Sequence, residues 1–298
     1  MSEGHPITPR RIWVLLGLMI LLWSFNFVVA KYALREFPPL LLGALRFTVA
    51  GAVILPFFLY KRLQAVQALD WNGAVPKLLG LGLLGVGANQ LAFLMGLAHT
   101  SVAHAALIIA LTPMLVLLLS AWVGHERITR NKVTGLCIAV SGVALLQLQS
   151  LLTGHASPWG DFFIFLASAT FAVFTVGGKS VRQHFDGLTI NTFAYAGSGL
   201  VLLPATMAMG WHFAFENVSA TAWLSLLYMA LFPSLLAYMI YYHALHYLSP
   251  SRIASVGYVQ PFMATLFAVP LLGERITASL VAGGMLVLLG VFWAERRA

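Results

Sequence analysis

The sequence predicts an all-α integral membrane protein with ten transmembrane helices arranged as two inverted five-helix repeats. Three observations predict this fold. First, 60% of the 298 residues are hydrophobic and only 9% are charged, whereas a soluble domain carries charge at about a quarter of its positions. Such a chain has nowhere in water to put its apolar surface. Second, apolar stretches recur ten times with short connections, each near the ~20 residues that cross a bilayer as a helix. Third, residues 111–149 and 259–297 repeat one another at an offset of 148. That offset places Pro113 on Pro261, Glu126-Arg127-Ile128-Thr129 on Glu274-Arg275-Ile276-Thr277, Gly135 on Gly283 and Gly142 on Gly290. It also matches Lys31 to Lys179, Gly51 to Gly199, Pro56 to Pro204 and Ser101 to Ser249.

The expected spans are 12–33, 39–60, 75–97, 102–122, 130–149, 159–181, 188–210, 221–246, 251–271 and 278–295. Residues 1–11 form a tail, 12–149 the first repeat, 150–158 an extracytoplasmic connection and 159–298 the second repeat. Arg10 and Arg11 precede a first span long enough to cross, with no small-residue cleavage site, so no cleavable signal is expected. Five spans per copy is an odd number. The second copy therefore enters the membrane from the opposite side, and the copies are related by a pseudo-two-fold axis in the membrane plane.

Charge sets the orientation. With the N-terminus in the cytoplasm, thirteen Lys and Arg residues fall inside, three (Lys31, Arg35 and Arg275) fall outside, and Arg46 lies within span two. Both termini are expected in the cytoplasm. The net charge of +8 is then topological and gives no reason to expect nucleic acid as a partner. Cys137 is the single cysteine, which excludes an intramolecular disulfide. It is expected to be a small packing residue in mid-span. No metal site and no cofactor are expected, and no Gly-rich Lys-Ser/Thr loop for ATP is present.

The segment LLWSFNFVVAKYALREFPPLLLGALRF (21–47) is followed by the run GLAHTSVAHAALIIALTP (96–113) with GHERIT, and the second copy repeats the latter run as ALHYLSPSRIASVGYVQP (244–261) and GERIT. This ordered set resembles the EamA family of the drug/metabolite transporter superfamily, across nearly the whole chain. The resemblance implies ten helices in inverted repeats, a central cavity, and export of amino acids or other small metabolites across a bacterial inner membrane. The second copy departs at two places, with Trp23 matched by Phe171 and Asn26 by Phe174, so the cavity is chemically asymmetric.

Polar groups within spans tend to face the bundle interior or a wet cavity. In span one, Trp23 and Asn26 share a helix face. Span three offers Asn89 and Phe93, with Gln90 beside them, and span four opens on His104. Span six offers Phe171, Phe174 and Thr175, span eight Tyr238, Tyr241 and Tyr242, and span nine Tyr258 and Gln260. Together they suggest an aromatic cavity with a few amides and hydroxyls, suited to a small zwitterion with an apolar or aromatic side chain. Trp23, Asn26, Asn89, Phe93, His104, Phe174, Tyr238, Tyr241, Tyr258 and Gln260 are the candidate substrate-binding residues.

Structural roles compete with these readings. Asn26 and Asn89 are equally suited to interhelical hydrogen bonds. Tyr242, Trp13, Trp71, Trp122, Trp159 and Trp293 lie near span ends, as belt residues do, and His99, His243 and His246 are expected to be solvated. Arg46 is expected to snorkel to the interface rather than clamp a substrate carboxylate. Pro113 and Pro261 remove backbone donors at matched places, as candidate hinges or as static bends. Thr129 and Thr277 stand at N-cap positions before spans five and ten, and Glu126 and Glu274 are expected to pair with basic groups or freed backbone donors.

None of the nine carboxylates falls in mid-span. Ion-coupled antiporters and carriers of lipophilic cations usually keep one there, so facilitated, gradient-driven export is expected, with His104 the remaining group for proton coupling. The partners expected are a small-molecule substrate and the lipid bilayer, with the protein acting as a monomer. Multidrug or toxic-compound efflux by proton antiport is the alternative. An intramembrane enzyme would show a motif such as His-Glu-x-x-His, and a sensor would carry a soluble output domain; neither is encoded.

Overall fold

The computed structural model describes residues 9–64, 73–124, 128–152, 157–182, 184–248 and 250–295, and all regular structure among them is helical. Among the described residues, ten helical segments follow one another: α1 (Pro9–Ala33), α2 (Pro39–Leu63), α3 (Ala74–His99), α4 (Val102–Trp122), α5 (Arg130–Leu152), α6 (Pro158–Arg182), α7 (Gly187–Trp211), α8 (Ala220–Tyr247), α9 (250–272) and α10 (Ala278–Glu295). Their ends match the expected spans to within a few residues. Seven of them, α1 to α4 and α6 to α8, are long and apolar enough to cross a membrane. A helix satisfies its own backbone, which a bilayer core demands.

Four segments are interrupted, and the interruptions are matched across the repeat. A π turn occupies Leu83–Ala88 in α3 and Phe232–Leu236 in α8. The α4 helix consists of Val102–Ile109 and Thr112–Trp122, and α9 of Pro250–Val256 and Gln260–Leu272, joined by a 3-10 turn at Gly257–Val259. Pro113 and Pro261 each stand in the first turn of the second piece. The expectation that they remove a donor from a continuous span is therefore corrected, because a first-turn position has no helical acceptor to lose.

Equivalent helices pack reciprocally, as surfaces do across a two-fold axis. A Cβ added at Gly142 of α5 would lie 2.5 Å from the carbonyl oxygen of Gly283 in α10, and one at Gly290 would lie 2.5 Å from that of Gly135. The same exchange joins α2 to α7: Gly51 meets the backbone of Ala196, and Gly199 meets Phe47 and Thr48. Small residues let these backbones approach closely.

Apolar side chains such as Val14, Phe57, Leu200, Met207 and Phe262 point outward, as a lipid-facing surface requires. Trp13, Trp122, Trp159 and Trp293 are exposed near helix ends, whereas Trp71 lies outside the described residues. Tyr242 departs from this pattern. It is fully buried against Phe174 and Tyr238, so it belongs to the core and not to the belt. Cys137 is exposed and does not pack inside.

Polar contacts tie the helix ends. Glu274 accepts from the Val102 and Ala103 backbone N–H groups at 2.7 and 3.2 Å, filling the orphan donors of the α4 N-terminus. Glu36 accepts from the N–H and hydroxyl of Ser219, the residue capping α8. Lys61 pairs with Asp186, and Arg62 donates to the Thr189 hydroxyl at 2.6 Å. The carbonyls of Thr129 and Thr277 accept the first bonds of α5 and α10, from Val133 and Val281, at 3.1 Å each. Glu126, the repeat partner of Glu274, lies outside the described residues.

Candidate functional site

A cavity of about 100 Å³ lies at the centre of the bundle, several times the ~10–15 Å³ that one water needs. Its walls come from both members of three repeat pairs, α1 with α6, α3 with α8, and α4 with α9. The fourth pair contributes on one side only, through Arg46 of α2.

Eight of the twelve candidate binding and hinge residues lie on this wall: Trp23, Asn26, Asn89, Phe93, Tyr238, Tyr241, Gln260 and Pro113, joined by Gln90, Phe171 and Arg46. The rings form one cluster. Trp23 meets Phe171, Tyr238 and Tyr241 at centroid distances of 5.8, 5.5 and 6.0 Å, within the range in which edge-to-face pairs add to their burial energy. The indole Nε1 of Trp23 donates to the Pro233 carbonyl at 3.1 Å, an acceptor within the α8 π turn, where one extra residue per turn disturbs the regular ladder. Tyr241 donates to the Thr175 hydroxyl at 2.7 Å.

Asn89 makes the interhelical bond expected of it, its amide donating to the Ala167 carbonyl at 2.7 Å and tying α3 to α6, and it also lines the cavity. Gln90 Nε2 donates to Asn89 Oδ1 at 3.0 Å and to Tyr238 Oη at 3.4 Å. Asn26 is different, because its Oδ1 is buried with no hydrogen-bond partner among the described residues. Ser168 Oγ on the same wall is also buried without one.

Three candidates sit elsewhere. Phe174 is fully buried behind the wall, stacked on Tyr241 with ring centroids 6.3 Å apart. Gly85 makes room for it, since a Cβ there would lie 2.2 Å from Phe174. His104 is not on the wall. Its Nδ1 lies 3.2 Å from the Thr100 hydroxyl and 3.6 Å from Asp161 Oδ1, in the first turns of α4 and α6. Pro261 is buried at the start of its helix, and the Tyr258 side chain lies outside the described residues. Asp161, in the first turn of α6, is buried beside His104, at a helix end and not in mid-span.

Arg46 is the largest correction. It does not snorkel: it is 1% exposed, and its Nε donates to Ser234 Oγ at 2.8 Å. Ser234 in turn donates to the Met229 carbonyl at 2.8 Å. Insertion scales put the cost of an arginine at mid-bilayer depth at about 2.5–3.5 kcal/mol, so a buried guanidinium needs a reason. Among the described residues it is the only charged one on the cavity wall. Among the described residues, no group of three or more His, Cys, Asp or Glu could hold a metal ion.

A model of the EamA-like transporter family matches this chain twice, at residues 11–148 and 158–295. An uncharacterized transporter from Archaeoglobus fulgidus is 28% identical over 96% of this chain and 99% of its own length. A "probable amino-acid metabolite efflux pump" from Salmonella typhimurium is 27% identical, covering 92% and 91% of the two chains. A "probable terminal-alkyne amino-acid exporter" from Streptantibioticus cattleyicolor is 28% identical over 97% and 94%. A solved crystal structure superposes with a TM-score of 0.69 at 20% identity, covering 97% of this chain and 98% of the other, which speaks for the fold alone.

Proposed function

The chain belongs to the EamA-like transporter family of the drug/metabolite transporter superfamily, and on that premise we propose that it exports amino acids or related small metabolites by alternating access. The path is the central cavity. Ten membrane crossings form two inverted copies, 12–149 and 159–298, joined by the extracytoplasmic connection 150–158 and preceded by the cytoplasmic tail 1–11. The protein works as a monomer in the inner membrane with both termini in the cytoplasm, following the thirteen-to-three charge distribution.

One observation carries the mechanism: the cavity is walled by both members of three repeat pairs. Movement of each copy relative to its twin then opens the cavity first to one face and then to the other. The matched breaks in α4 and α9, with Pro113 and Pro261 just beyond them, are the hinges. The substrate class follows from the two relatives named for amino-acid export and from a small, ring-lined cavity with amide and hydroxyl groups. Transport is gradient-driven, because no carboxylate among the described residues lines the cavity.

Export from intact cells tests the proposal. Cells loaded with dipeptides and expressing the protein should release amino acids faster than cells carrying a Trp23→Ala variant of equal abundance. Equal release would refute it.

One observation favours a second reading, proton antiport. His104 and Asp161 form a buried titratable pair. If substrate accumulates only under an imposed pH step, and both His104→Ala and Asp161→Asn abolish that accumulation, antiport replaces gradient-driven export.

A further inference from the structure

Arg46 is a charged side chain buried in the bundle interior. Among the described residues no carboxylate lies within 4.0 Å of it. Its Nε is satisfied by Ser234, yet its Nη1 is buried with no hydrogen-bond partner among the described residues. The guanidinium holds its charge at any physiological pH, so the protein keeps an uncompensated cation on the cavity wall. Its repeat counterpart is Ala194, so the charge stands on one side of the axis only.

We infer that Arg46 is the anchor for a carboxylate on the transported solute. This deepens the proposed transport function and rests on it. The Met229–Ser234–Arg46 chain of hydrogen bonds fixes the head from one side and leaves Nη1 as the donor for an incoming anion. A planar guanidinium is the group best matched to a carboxylate. Asn26 Oδ1 and Ser168 Oγ, buried without partners on the same wall, are acceptors for an ammonium. The site thus fits a zwitterion and repels a solute whose only charge is positive.

The full-length protein in detergent supplies the binding test. Thermal stabilisation is titrated with 3-phenylpropionate, with phenethylamine, and with the L-amino acids and their amides. Carboxylate compounds should raise Tm, and the amine and the amides should not. Arg46→Gln should raise the concentrations required by roughly 10- to 100-fold, the worth of a charged hydrogen bond, with Arg46→Lys in between. The comparison of ligands on the wild type needs no variant to fold.

Amides or phenethylamine binding within about twofold of the matching carboxylates would overturn the inference, as would unchanged affinity in Arg46→Gln or no carboxylate bound by the wild type. Amino-acid exchange in liposomes separates the two proposals. Arg46-dependent binding of 3-phenylpropionate without amino-acid exchange would sink amino-acid export and leave the anchor standing. Exchange of amino acids with equal competition by their amides would do the reverse.

Discussion

Gln90 and Tyr238 occupy the same position in the two copies, 148 residues apart, and they meet: Gln90 Nε2 donates to Tyr238 Oη at 3.4 Å. Trp23 and Phe171, also equivalent at the offset of 148, meet edge to face at 5.8 Å. A residue touches its own repeat mate only where the axis relating the copies passes between them. Both contacts lie on the cavity wall, so the axis and the cavity coincide.

Tyr238 and Tyr241 each combine a buried ring with a directed hydroxyl. Replacing either with Ala in a packed interior costs about 3–5 kcal/mol, which would confuse loss of fold with loss of function. Tyr241→Phe removes only the bond to Thr175, worth about 0.5–1.5 kcal/mol. Transport by this variant should weaken with little change in abundance or Tm. Unchanged transport in both Tyr241→Phe and Tyr238→Phe would show that the hydroxyls take no part.

The seam between α5 and α10 should respond symmetrically. Gly142→Ala and Gly290→Ala each bring a methyl to 2.5 Å from a carbonyl oxygen of the opposite helix. Forcing atoms into a packed contact costs about 1–3 kcal/mol, so both variants should lower Tm by similar amounts in detergent. A large effect from one and none from the other would break the equivalence of the copies.

Asp186 links the end of α2 to the start of α7. Burial pushes its carboxyl up, but hydrogen bonds from Lys61 and Thr189 and the Lys61 charge outweigh that and hold it below its ordinary 3.8. A depressed carboxylate stabilises the fold above its unfolded value and loses that stabilisation as pH falls through the folded one. The wild type should therefore lose Tm below about pH 4 more steeply than Asp186→Asn. At neutral pH the difference should stay under about 1 kcal/mol, because the pair is partly exposed. Parallel Tm–pH curves for the two proteins would contradict this.

The helices and the repeat were legible in the sequence because apolar length and a fixed offset are local properties of a chain. Much of the cavity wall was legible too. In apolar spans, a polar or aromatic pair three or four residues apart, such as Trp23 with Asn26, marks the face that is not lipid. Arg46 was not legible, because distance to the span end suggests snorkelling while its acceptor, Ser234, lies 188 residues away in a π turn. His104 and Asp161 each look terminal in their own spans, and only the packing of α4 against α6 brings them together. Phe174 shares a face with Phe171, and it is the missing side chain at Gly85 that draws it behind the wall.

Counterflow in liposomes tests the claim of gradient-driven amino-acid transport most directly. Vesicles holding the pure protein are loaded with an unlabelled amino acid and diluted into trace labelled amino acid. Label should accumulate transiently for some amino acids and not for cationic dyes. It should persist when a protonophore is added and when sodium is replaced by choline. No counterflow with any amino acid, together with dye movement driven by a pH step, would contradict the claim.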